Sequence, residues 1–302
     1  MTINGSAQYA TATAFRRALD DRLKAEARAR GRFLEELRRE FIFQRFLAMI
    51  FSATDGQWVL KGGASLLMRL ANARFSKDLD LLHMGTLSPE RAIIELRELT
   101  TPSPRDHLTF VIEDGVHYSS ANPVVEISVT AYIGAVYGQF PIDLATDLHL
   151  LAAPERIRPQ PVVDVPGLPT LPELVVYPLA EQVADKVCAM FELHWDSQSP
   201  STRYRDLLDL ALIVSTSELD GRQLALSVAS EIRRRDVDMP AAMQSPGPSW
   251  PAGYAAIARR SRMAKELHEM PGALRVVSAC LDPILSGART GGTWHPDSGW
   301  SN

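Results

Sequence analysis

The tightest constraint on this chain lies between Trp58 and Leu82. Trp58-Val59-Leu60 is a short apolar run that leads directly into Lys61-Gly62-Gly63. A helical pattern follows from Ala64 to about Ala73, and then Asp78-Leu79-Asp80-Leu81 alternates polar and apolar at strand period. Residues two apart on a strand share a face, so Asp78 and Asp80 project together. Two carboxylates that close repel, and aspartate is disfavoured in strands, so the pair calls for compensation. A divalent cation is the natural source, because magnesium takes hard oxygen ligands, typically one or two carboxylates plus substrate phosphates. The other reading is a solvated strand end without metal, which the flanking Leu79, Leu81 and Leu82 oppose.

Gly62 and Gly63 stand where the strand hands over to the helix. Lacking Cβ atoms, they let backbone N–H groups approach a phosphate, and the helix N-terminus adds a favourable partial charge. A glycine pair also makes an ordinary tight turn, and both readings stay open. A Walker A loop is excluded, since no glycine-lysine-Ser/Thr ending occurs at the required spacing. Gly63-Ala64-Ser65 lacks the second glycine of a nucleophile elbow. Ser76, two residues before Asp78, reads as a phosphate contact, a modification site or a turn hydroxyl. Either Asp143, in Phe140-Pro141-Ile142-Asp143-Leu144, or Glu126, in Val124-Val125-Glu126-Ile127, supplies a third carboxylate.

The rest of the chain divides into an α/β half, 1–155, and a helical half, 156–302. Residues 13–53 read as helix with a break at Gly31, and 89–100 as another. Val124 to Val136 and Phe140 to Leu144 read as a hairpin turning at Tyr137-Gly138-Gln139. Seven prolines between Pro154 and Pro178 suit a linker with short extended pieces. Helices follow at 179–193, 204–217, around 221–235, near 254–268 and at 272–286, and the last dozen residues look frayed. The fold class is α/β, a mixed-sheet domain with N-terminal helices followed by a mainly helical domain.

In the helical half, Lys186 neighbours the apolar stripe Leu179, Val183 and Val187, with Asp185 beside it. Arg203, Arg205, Asp206 and Asp209 cluster further on, and Asp206 and Asp209 lie three apart on one helix face. These groups read either as structural ion pairs or as cations that grip a triphosphate. With 32 basic and 36 acidic residues the net charge is −4, so any polyanion must be met locally. Residues 14–46 hold ten basic against six acidic side chains, a solvated helix face or a phosphate-backbone surface. Arg233-Arg234-Arg235 and Arg259-Arg260 are weaker candidates of the same kind. Two cysteines exclude a disulfide scaffold, and the seven histidines show no metal-ligand spacing. No signal segment or membrane span is visible, so a cytoplasmic protein is expected.

Taken in order, these elements resemble the AbiEii-type nucleotidyltransferase toxins, including the MenT group, within the DNA-polymerase-β-like superfamily. Lys61-Gly62-Gly63-Ala64-Ser65-Leu66 and Arg74-Phe75-Ser76-Lys77-Asp78-Leu79-Asp80-Leu81 are similar to the family's glycine and paired-acid signature. Pro141-Ile142-Asp143 resembles its later acidic strand, Ala184-Asp185-Lys186 its lysine helix, and Arg205-Asp206-Leu207-Leu208-Asp209-Leu210 its last acidic element. The resemblance spans about residues 59–210. It implies a toxin of a toxin–antitoxin pair that uses Mg2+ (Mn2+ also serving) to transfer nucleotides from NTP to the 3′ acceptor end of tRNA. By that likeness Asp78, Asp80 and Asp143 hold metal, and Lys61, Gly62, Gly63, Ser76 and Arg205 meet the nucleotide. Lys186 stabilises phosphate charge, and Asp209 orients it or takes part in acid–base work. Tests must separate this from the same site acting on a protein or small molecule, and from a silent RNA- or antitoxin-binding module.

Overall fold

The computed structural model describes residues 9–101, 107–118, 124–193 and 199–302. The chain forms two compact units. The first comprises the described parts of Met1–Arg69, Phe75–His149 and Pro154–Val176, and the second comprises Leu70–Arg74, Leu150–Ala153 and Tyr177–Asn302.

Two helices open the first unit, α1 (Ala12–Arg30) and α2 (Leu34–Ala53). Thr11 caps α1 by accepting from the Ala14 amide, and Gly31, at φ 61°, ends it in the left-handed region. Phe15, Leu19, Leu23 and Ala27, spaced by four, form its buried stripe. In α2 the rings of Phe43 and Phe46 meet Phe140 edge-on, with centroids 5.0 and 5.4 Å apart. Many basic side chains of residues 14–46 are engaged within the unit: Arg30 with Glu26, Arg32 (between the helices) with Glu40, Arg38 with Asp20 and Glu35, Arg16 on the Val136 carbonyl, and Arg45 on the Pro169 carbonyl. The local excess of positive charge is therefore largely spent on packing the helices.

Next in sequence come β1 (Trp58–Lys61), α3 (Gly62–Arg69), β2 (Leu79–His83), α4 (Pro89–Leu99), β3 (Leu108–Tyr118), β4 (Val124–Ile133), β5 (Ala135–Ala145), β6 (Glu155–Ile157) and β7 (Leu174–Val176). The strands make one mixed sheet in the order β3-β4-β5-β2-β1-β7-β6. β5 runs parallel to β2, and β1 parallel to β7, while the other neighbours are antiparallel.

Several expectations are corrected here. The hairpin turns at Gly134, φ 69°, rather than at 137–139, because the left-handed glycine lets Ala135 pair at once with Ile133. Tyr137 and Gly138 then lie inside β5. β3 has no strong alternating signature, and its pairing with β4 makes it a strand. The proline-rich stretch is not only a linker. Its ends are β6 and β7, and Val176 beside Leu60 ties them into the sheet, so the first unit extends past residue 155.

The second unit holds α5 (Leu179–Phe191), α6 (Tyr204–Thr216), β8 (Leu219–Asp220), α7 (Gly221–Arg235), α8 (Trp250–Ala258), a 3-10 turn at Lys265–Leu267, α9 (Met270–Leu285), β9 (Thr293–His295) and β10 (Gly299–Ser301). Leu207, Leu210, Ala211 and Ile213 on α6 are fully buried, as are Val183 and Val187 on α5. The C-terminal dozen is ordered rather than frayed. β9 and β10 pair with β8, and Trp294 is buried with its Nε1 donating to the Val214 carbonyl at 2.8 Å. Among the described residues no helix is long and apolar enough to cross a membrane.

Candidate active site

The first unit builds a row of charged side chains across four strands. Lys61 on β1 stands opposite Asp80 on β2, Asp80 opposite Asp143 on β5, and Asp143 opposite Glu126 on β4. Cross-strand partners share a face, with Cβ atoms roughly 4.5–5.5 Å apart. The expectation that Asp78 shares the strand with Asp80 is corrected: β2 begins at Leu79, and Asp78 sits in the bend before it, close enough for its charge to act on Asp143. The alternate residues Leu79, Leu81, Ile127, Ile142 and Leu144 are fully buried on the other face, and this period-two burial holds the register. Both candidate third acids thus belong to the row, with Asp143 next to Asp80 and the exposed Glu126 one strand beyond.

Two local devices shape this row. Gly62 has φ +61°, and a Cβ built there would fall 1.8 Å from Asp80 Oδ2. The Asp80 carboxylate therefore occupies the space that any other residue's side chain would need. Ser76 is buried, and its hydroxyl donates to Asp78 Oδ1 at 2.8 Å, fixing that carboxylate from within its own loop. Gly63 is buried at the start of α3, and Lys61 is half-buried.

Electrostatically the row is crowded. Burial, then the charges of Asp78 and Glu126, push the Asp143 carboxyl above the usual range. Among the described residues no three His, Cys, Asp or Glu side chains form a metal cage. The donor set still fits magnesium or manganese, which need one or two carboxylates beside phosphate oxygens and water. Hard oxygen donors clustered beside Gly62 are what such an ion requires.

The second unit carries the other predicted groups in a buried ionic chain. Lys186 on α5 donates to Asp206 Oδ1 at 3.0 Å and to Asp209 Oδ2 at 2.6 Å. Arg74 grips Asp209 with a two-pronged contact, Nε at 2.9 Å and Nη2 at 3.0 Å, and Arg203 Nε donates to Asp206 at 2.6 Å. Burial alone would lower the Lys186 pKa, but Asp209 and Asp206 outweigh it and hold the ammonium above its ordinary value. Likewise burial works to raise Asp206, and Lys186 and Arg203 overcome it, keeping the carboxyl low. Arg205 is exposed in the first turn of α6. Sequence reasoning singled out Lys186 and Asp209 but missed that Arg74 and Asp206 complete their clamp. Its only trace was the Asp206/Asp209 spacing, since Arg74 lies more than 100 residues away in the chain. Arg234 and Arg235 are engaged with Glu231 and Asp185, which removes them as a basic patch.

The family model described as "Nucleotidyl transferase AbiEii toxin, Type IV TA system" matches residues 45–276. Among solved structures, the chain is similar in fold to "MenT4, nucleotidyltransferase toxin Rv2826c from Mycobacterium tuberculosis H37Rv". That likeness has a TM-score of 0.55 and 20% identity, over 87% of this chain and 89% of that one. JHP933 from Helicobacter pylori matches with a TM-score of 0.46 and 14% identity, over 83% and 93% of the two chains. A putative nucleotidyltransferase from H. pylori gives 0.45 and 14%, over 82% and 95%. No curated protein matches the sequence.

Proposed function

The chain belongs to the AbiEii family of nucleotidyl transferase toxins of type IV toxin–antitoxin systems, and from that premise we propose that it is a magnesium-dependent enzyme that nucleotidylates the 3′ acceptor end of tRNA. Family membership brings an NTP substrate and an antitoxin partner with it. The observation that carries the metal and phosphate part is the row Asp80–Asp143 beside Gly62, with the Asp78 carboxylate held by Ser76 and acting on Asp143.

In this reading Asp78, Asp80 and Asp143 hold the divalent ion, Mg2+ or Mn2+. When bound, the ion would supply positive charge against the negative charge that builds on the leaving pyrophosphate. Gly62 and Gly63 let backbone amides reach the phosphates at the start of α3, with Lys61 and Ser76 flanking them. An acceptor hydroxyl attacks the α-phosphorus, the bond to the β-phosphate oxygen breaks, and pyrophosphate leaves. Lys186 serves phosphate charge as an ammonium kept protonated by Asp206 and Asp209, and Asp209 is its orienting partner. Arg205, exposed on α6, is assigned to nucleotide contact. Catalysis here is chiefly electrostatic preorganisation. Because the acceptor hydroxyl comes from tRNA, the expected location is the cytoplasm.

The test is incubation of the purified protein with each labelled NTP, Mg2+ and total tRNA, with and without a chelator. Chelator-sensitive label on the tRNA end is expected. Label on protein or on a small molecule instead would move the acceptor, and no transfer from any NTP would refute the proposal. Asp80→Asn is expected to abolish labelling, and growth toxicity that survives Asp80→Ala would favour a silent binding module.

A further inference from the structure

Asp78 ends a stretch without ladder hydrogen bonds: residues 73–78 are irregular, and β2 begins only at Leu79. What holds such a loop must be side chains. Ser76 orients the Asp78 carboxylate, and the backbone that carries it is held by a residue far away in sequence. Arg39, on α2, donates from Nη1 to the Lys77 carbonyl at 3.1 Å. Its guanidinium also lies 5.6 Å from the centroid of the Phe75 ring. The Lys77 carbonyl belongs to the same planar peptide as the Asp78 nitrogen, so fixing that oxygen fixes the plane from which Asp78 departs. Cation–π contact with Phe75 grips the loop two residues earlier.

We propose that Arg39 is a positioning residue for Asp78, setting the metal affinity of the site from outside it. The inference rests on the metal-holding role assigned to Asp78 above. Arg30, Arg32 and Arg38 pair with carboxylates, whereas Arg39, like Arg16 and Arg45, reaches a backbone carbonyl, and the carbonyl it reaches is in the loop that carries Asp78. It also lies before residue 45, outside the segment that the family model matches. The N-terminal helices are thereby given a part in the chemistry beyond covering the sheet. Residues that hold metal ligands typically change metal affinity or activity about 10–100-fold when removed.

The experiment titrates Mn2+ into the full chain and its Arg39→Ala, Arg39→Lys and Arg17→Ala variants, reading free Mn2+ by electron paramagnetic resonance. Amide exchange over residues 75–80, melting temperature and NTP transfer are followed in parallel. Arg39→Ala is expected to bind Mn2+ about tenfold more weakly, to exchange faster at 76–79, and to regain transfer at high Mn2+. Arg39→Lys, which keeps a cation and a donor but not the planar guanidinium, should fall between the parent and Arg39→Ala. Arg17→Ala, exposed on α1, should match the parent. Should Arg39→Ala not fold, Arg39→Gln carries the same comparison. Parent-like Mn2+ affinity in the Arg39 variant, or a loss of transfer that high Mn2+ does not restore, overturns the inference. A parent that binds Mn2+ but transfers no nucleotide refutes the reaction alone, and the Arg39 comparison of affinity still decides this point. A parent that binds no Mn2+ overturns both.

Discussion

Replacing Gly62 by alanine separates backbone strain from the geometry of the acidic row. At φ +61° an L-residue costs roughly 1–2 kcal/mol relative to glycine. The new Cβ would also sit 1.8 Å from Asp80 Oδ2 and 2.4 Å from its Cγ. Ordinary contact needs about 3.4 Å, so the carboxylate must swing by about 1.5 Å. A carboxylate is the free end of a side chain and can turn away, so this second effect adds little to the stability loss. If Asp80 holds the metal as proposed, the effect falls on function instead, because metal–oxygen distances tolerate only about 0.2 Å and a misplacement near 1 Å costs about 100-fold in rate. The expected result is a loss of about 1–2 kcal/mol in urea unfolding together with at least about a 100-fold loss of NTP transfer. In an Asp80→Ala background the same substitution should cost only the backbone part, giving a small coupling in a double-mutant cycle. Transfer within about threefold of the parent would refute the placement of Asp80 against Gly62.

Other outcomes follow from the second unit. Glu231 is held down to about 2, with burial opposing and Arg234 and Arg235 prevailing. A lowered carboxyl stabilises above its unfolded value of 4.5 and loses that contribution as pH falls towards 2. Glu231→Gln should therefore flatten the fall in urea midpoint between pH 5 and pH 3, and an unchanged slope would contradict the pairing. Lys186→Met leaves Asp206 and Asp209 buried with less compensation, and a loss of about 3–5 kcal/mol in denaturant unfolding is expected; a loss below about 1 kcal/mol would show the clamp to be unimportant for stability. Trp294→Ala should cost about 3–5 kcal/mol if the terminal hairpin is docked as described, read as a lower melting temperature.

The element types around the acidic pair were legible because each rests on short-range chemistry. Gly31 stops a helix, and Asp78-Leu79-Asp80-Leu81 alternates as a strand does, with β2 beginning at Leu79. The reading failed where stability comes from distant partners. β7 is three residues long, one of the short extended pieces expected in the proline-rich stretch, and it joins the sheet because Val176 meets Leu60. The terminal hairpin looked frayed because its tryptophans gain their value only by burial against Val214 and Cys280. The turn was misplaced onto Gly138, since both Gly134 and Gly138 are plausible and only the pairing of β4 with β5 chooses between them.

By itself, then, the sequence determined the pieces of the site: two acids at the start of a strand, a glycine pair before a helix, and a lysine helix followed by paired aspartates. Those follow from repeat periods of 2 and 3.6 residues, which need no knowledge of what lies across the fold. Only the tertiary structure decided that Asp143 stands beside Asp80 with Glu126 one strand further, that Asp80 fills the space over Gly62, and that Lys186 meets both Asp206 and Asp209 while Arg74 holds Asp209. Each of these is a contact between residues far apart in the chain, set by strand register and burial, and no local pattern encodes it.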